Sequence, residues 1–77
     1  MIQAYEQAGS YTFVGLVASE YAGYIVTLYD QSEEETEYEV AVDEYGYFQI
    51  EQIKVPALEY VTFTIRACQG QMEHVLY

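Results

Sequence analysis

Positive charge is almost absent from this chain: Lys54 and Arg66 are its only strong cations, against 13 Asp and Glu, for a formal charge of −11 over 77 residues. A surface of that sign repels phosphate backbones and anionic lipid headgroups, which argues against nucleic-acid binding and against attraction to membranes. Tryptophan is missing, and histidine, proline and cysteine each occur once, as His74, Pro56 and Cys68. A single cysteine excludes an intrachain disulfide and a structural zinc site of several thiolates. On a strand it is more often a small packed hydrophobe than a nucleophile. No apolar run approaches the ~18 residues that cross a bilayer. The opening Met1-Ile2-Gln3-Ala4-Tyr5-Glu6 has no basic segment followed by an apolar one, so a cytosolic chain and a mature product both stay open.

What is abundant is apolar and aromatic. Hydrophobic residues make up 52% of the chain, too many for a disordered segment despite the charge, and ten residues are tyrosine. Tyrosine favours strands, and its hydroxyl lets a large ring sit half-exposed at an interface. The length allows one domain, residues 1–77, with a small core: such a fold buries only about 60–65% of the surface its unfolded chain exposes.

The punctuation is that of β-structure. Residues 1–9 read as an arm ending in a flexible joint at Ala8-Gly9-Ser10. Strands are predicted over Tyr11 to Ala18 and Tyr24 to Tyr29, separated by a turn at residues 19–23. The acidic stretch from Asp30 to Glu35 reads as a solvated loop. From Glu37 to Asp43 the alternation is clean, with Tyr38, Val40 and Val42 on one side. Asp43-Glu44-Tyr45-Gly46 then turns the chain into Tyr47 to Glu51, with Phe48 and Ile50 inward; Gly46 supplies the positive φ that a tight hairpin needs. A connection carrying Ile53, Val55 and Pro56 leads to a strand over Glu59 to Cys68. Residues 71–77 form a second arm. No segment has a sustained helical period. The fold class is therefore all-β, a small two-sheet antiparallel sandwich of six to seven strands with transthyretin-like or Ig-like topology.

Several segments together, namely Phe13-Val14-Gly15-Leu16-Val17, the apolar pair Val26 and Leu28, the run Asp43-Glu44-Tyr45-Gly46-Tyr47-Phe48-Gln49-Ile50, and Tyr60 through Ala67 followed by Gly70, carry a family pattern. In that order they resemble the carboxypeptidase regulatory-like domain, a transthyretin-like (prealbumin-like) β-sandwich. The resemblance spans roughly residues 11–70, and its central hairpin is the most specific part. Two departures stand out: Pro56-Ala57-Leu58-Glu59 lacks the glycine of the family's proline-glycine turn, and the acidic loop at 30–37 is long. The resemblance implies a non-catalytic module of extracellular or cell-surface proteins, serving as spacer, adhesion element or assembly unit.

No catalytic constellation emerges. His74 has no serine or carboxylate spaced to form a triad with it, and a His74–Cys68 dyad needs a pocket that a sandwich this small hardly offers. Asp30, Glu33, Glu34, Glu35 and Glu37 match no calcium-loop spacing and lack the glycine that lets carboxylates converge, so a solvated, self-repelling loop is the simpler reading. No cofactor or metal is implied. With Phe13, Gly15 and Val17 turned inward, Val14 and Leu16 face out together with Tyr11, and so do Ile25, Thr27 and Tyr29 on the next strand. An apolar, tyrosine-rich outer face of this kind marks an interaction site. The arms, with Ile2 and Tyr5 at one end and Val75, Leu76 and Tyr77 at the other, are suited to cover this face, their own or a neighbour's, or to lie as an added strand along an exposed sheet edge of a neighbouring copy. The expected function is a self-assembling structural subunit of an extracellular filament or surface layer, with Ile2, Tyr5, Tyr11, Val14, Leu16, Ile25, Tyr29, Val75, Leu76 and Tyr77 at its interfaces. Two alternatives compete with it: a small acidic inhibitor that imitates DNA toward a basic protein partner, and a spacer or carbohydrate-binding adhesion module excised from a larger secreted protein.

Overall fold

Alternating β-branched and aromatic residues build two antiparallel sheets in the computed structural model, which describes residues 2–32, 36–67 and 73–76. The first sheet has the order β1-β2-β5, from β1 (Ile2–Gln7), β2 (Ser10–Leu16) and β5 (Tyr47–Ile53). The second runs β4-β3-β6-β7, from β3 (Ile25–Asp30), β4 (Glu37–Ala41), β6 (Val61–Arg66) and the short β7 (His74–Val75). The all-β two-sheet sandwich expected from the pattern is the observed architecture. Among the described residues no helix is long and apolar enough to cross a membrane.

Period-2 alternation fills the space between the sheets. Phe13, Phe48 and Ile50 reach in from the first sheet, and Val26, Leu28, Phe63 and Ile65 from the second, all buried. Phe63 ties the layers together: its ring meets Phe13 edge-on at 5.3 Å and lies 6.5 Å from Phe48. Gly15 stands directly opposite Phe48 in the β2–β5 register, and the Phe48 ring covers it so closely that a Cβ there would lie 2.0 Å from the ring. The glycine of the apolar-x-Gly-x-apolar strand is thus a seat for an aromatic ring.

Three local expectations change. Residues 2–7 are not a detached arm: they fold back as β1 on β2, with Gln7 opposite Ser10 and a turn at Ala8 (φ 53°) and Gly9 (φ 84°). Both turn residues sit in the left-handed region, which gives the turn a twist that matches the strands it joins. Second, β5 continues to Ile53 through a bulge at Gln52 (φ 62°), where Tyr11 pairs with Ile53 and Phe13 with Ile50. Residues three apart on a regular strand face opposite ways. The extra residue turns both Ile50 and Ile53 into the core. Third, Leu58–Tyr60 forms a 3-10 turn, so the last long strand starts at Val61 rather than Glu59.

Candidate interaction surface

The residues expected on one outer face divide between two opposite faces, because β2 and β3 belong to different sheets. Val14 and Leu16 lie on the outside of the first sheet. Their cross-strand neighbours are Gln3 on β1 and Gln49 and Tyr47 on β5. Leu16 is 50% exposed and Tyr5 54%. The tyrosines at both margins hydrogen-bond to glutamines of their own strands: Tyr5 Oη donates to Gln3 Oε1 and Tyr47 Oη to Gln49 Oε1, both at 2.6 Å. Gln49 in turn donates to Glu51. The result is an apolar stripe rimmed by tyrosine and glutamine.

Tyr11 is not part of this face. It shares the parity of Phe13, stacks beside it at 6.0 Å and packs against the core. Partial burial, with the Glu6 carboxylate across the strand pair, pushes its hydroxyl up from the usual tyrosine range. Ile2 likewise turns inward, lining a cleft of about 190 Å³ with Ala4, Phe13, Leu58, Val61 and Phe63.

Ile25 and Tyr29 occupy the outer face of the second sheet, where polar groups hold the C-terminal segment down. Tyr29 Oη donates to the Glu73 carboxylate at 3.0 Å, and Thr64 Oγ1 donates to the same group at 2.5 Å. These two bonds, hydroxyl of Thr64 first, and the nearby Arg66 hold the Glu73 carboxyl below the usual carboxylate range, while the bond to Glu73 raises the Tyr29 hydroxyl. Arg66 itself bonds Glu39 at 2.6 Å across the sheet. Val75 is exposed on this face, Leu76 packs against the core with its N–H on the Phe63 carbonyl at 2.8 Å, and Tyr77 and Cys68 lie outside the described residues.

The Glu73 clasp has a testable pH signature. A carboxyl with a depressed folded pKa stabilises the fold above its unfolded pKa, and that contribution fades as pH falls through the folded value. Glu73→Gln should therefore lower the denaturant midpoint at neutral pH, and the gap from the unsubstituted chain should close on acidification below the ordinary carboxylate range. A gap that stays constant with pH would show that the clasp acts through shape alone.

The strand edges differ in how they are guarded. The β4 edge carries Glu37 and Glu39, β5 carries the Gln52 bulge, and β7 is two residues long. β1 is six residues long with no lysine, proline or bulge, and no described strand lies beyond it. Sequence reasoning missed this edge because it treated the segment as an arm. The alternation of Ile2, Ala4 and Glu6 with Gln3, Tyr5 and Gln7 was the available signal. Asp43 accepts the N–H groups of Tyr45 and Tyr47, both at 2.9 Å, and Asp30 that of Ser32 at 2.9 Å, so both carboxylates serve turns. Among the described residues no three His, Cys, Asp or Glu are grouped to hold a metal ion. Comparison of the chain with models of protein families, with curated proteins and with solved structures yields no match.

Proposed function

We propose that this chain is a non-catalytic structural subunit that works by contact with copies of itself, as a repeating unit of an extracellular filament or surface layer. One juxtaposition carries this: the unguarded β1 edge borders the tyrosine-rimmed stripe of Val14 and Leu16, so two different contact surfaces meet on the first sheet. Unprotected edges pair with added strands, and exposed apolar faces with aromatic margins are sites of protein contact. A subunit with two distinct contacts can propagate, whereas one self-complementary contact closes as a dimer. The extracellular or surface setting is what the sequence resemblance to carboxypeptidase regulatory-like sandwiches implies, carried by the run Asp43-Glu44-Tyr45-Gly46-Tyr47-Phe48-Gln49-Ile50.

The test is a Val14→Glu, Leu16→Glu double variant compared with the unsubstituted chain by light scattering and negative-stain microscopy. The unsubstituted chain should form large particles, more readily as salt screens its charge. The variant should keep its β-sheet circular dichroism and stop short of large particles. Equal assembly by both chains would remove the stripe from the contact.

A second reading, an acidic inhibitor imitating DNA, draws on Glu37 and Glu39, which share the solvent side of β4, and on Asp43 and Glu44 in the next loop. It requires the opposite salt response, a complex with a basic protein that weakens as salt rises.

A further inference from the structure

We infer that β1 pairs antiparallel with β1 of a second copy about a two-fold axis at Ala4, fusing two three-stranded sheets into one of six strands. This rests on the self-association proposed above and specifies the partner and register of one contact.

The hydrogen-bond phase leads to this pairing. Val17 N–H donates to the Gly46 carbonyl at 2.8 Å, so the odd residues of β2 bond toward β5 and the even ones toward β1. The turn at Ala8-Gly9 makes Gln7 and Ser10 a bonded pair, so Gln3, Tyr5 and Gln7 spend their backbone groups on β2. Ile2, Ala4 and Glu6 therefore point their N–H and C=O groups away from the sheet. Three consecutive pairs become possible around the two-fold: Ala4 with Ala4, and Ile2 with Glu6 in both directions.

The side chains agree with that register. On the solvent face Gln3 comes opposite Tyr5 of the other copy, extending across the junction the tyrosine–glutamine pairing already present within each strand. Glu6 faces Ile2 instead of its own counterpart, which keeps the two Glu6 carboxylates about 13 Å apart, beyond the screening length in physiological salt. Glu6 is the only charged residue of β1, so this is a lightly charged approach on a strongly acidic molecule. On the inner side Ile2 and Ala4 line the apolar cleft, which the extended sheet would cover.

Two substitutions test the pairing in the full chain. Ala4→Pro removes an outward N–H that the edge strand does not use in folding, so the monomer should stay folded. Two hydrogen bonds vanish at the axis, one per copy, and dimerisation measured by analytical ultracentrifugation should weaken on the order of a hundredfold. Independently, Ala4→Cys in a Cys68→Ser background should oxidise to a linked dimer, because directly opposed residues lie about 5.5 Å apart, within disulfide range. Gln7→Cys in the same background should not link. A dimer in which Ala4→Cys fails to link, or Gln7→Cys links equally, overturns the two-fold register and leaves self-association standing. Large particles from the unsubstituted chain together with a strictly monomeric Val14→Glu, Leu16→Glu variant overturn the edge contact alone. A chain that stays monomeric at every salt and protein concentration overturns both.

Discussion

Phe63→Ala is expected to destabilise the domain by about 3–5 kcal/mol, the range for removing a buried phenylalanine from a core. A chain of 77 residues has a total stability of roughly 4–12 kcal/mol, so the loss is a large share of what holds it folded. Phe63 is 1% exposed and is the residue of the second sheet whose ring touches both Phe13 and Phe48 of the first. Truncating it removes the transfer energy of the ring and leaves a void that Gly15, already covered by Phe48, cannot fill. The neighbouring cleft shares Phe63 as a wall, so the void opens into it and water gains a path toward the core. Thermal unfolding followed by circular dichroism should show a midpoint lower by on the order of 20 °C. Phe63→Leu should retain most of the stability. If the alanine variant loses less than about 1 kcal/mol, the sheets are held together elsewhere and the core is misassigned.

Gly46→Ala should cost about 3 kcal/mol through two separate effects. The first is conformational: φ at Gly46 is 88°, where a Cβ is strained. The second is steric, because that Cβ would lie 2.1 Å from the Val17 carbonyl oxygen. The loop must retreat, and the bond from Val17 N–H to the Gly46 carbonyl is lost with it. Gly9 offers the comparison. Its φ is 84°, yet a Cβ there meets nothing within 4 Å, so Gly9→Ala should carry only the conformational part, about 1 kcal/mol. Denaturant titrations of both variants separate the two effects. Equal losses would mean that the approach of the Gly46 loop to β2 contributes nothing.

The central hairpin was legible because each of its signals is local. Asp43 closes its own turn, Gly46 adopts positive φ, and Phe48 and Ile50 alternate inward. β1 was not legible for an equally local reason. A two-residue hairpin is announced by Asn-Gly or Asp-Gly, and here Ala8 takes the left-handed position with a side chain that offers no compensating hydrogen bond. The inward turn of Ile53 was hidden as well, since a bulge at Gln52 breaks the period by which facing is read. Tyr29 and Glu73 are 44 residues apart, and nothing in the pattern of either segment announces that one clasps the other.

Alternation and composition along the chain suffice for a two-layer β body, its acidic surface and most of its core, because backbone sterics and burial act on each strand by its own side-chain sequence. Which strands share a sheet is another matter. The assignment of Val14 and Leu16 to one side of the sandwich and of Ile25 and Tyr29 to the other depends on pairings between distant segments. So does the lone unguarded edge at β1 among the described strands, since an edge exists only by virtue of what does not pair with it. Those pairings are chosen by the packing of all the strands at once, and a reading that proceeds residue by residue has no access to that choice.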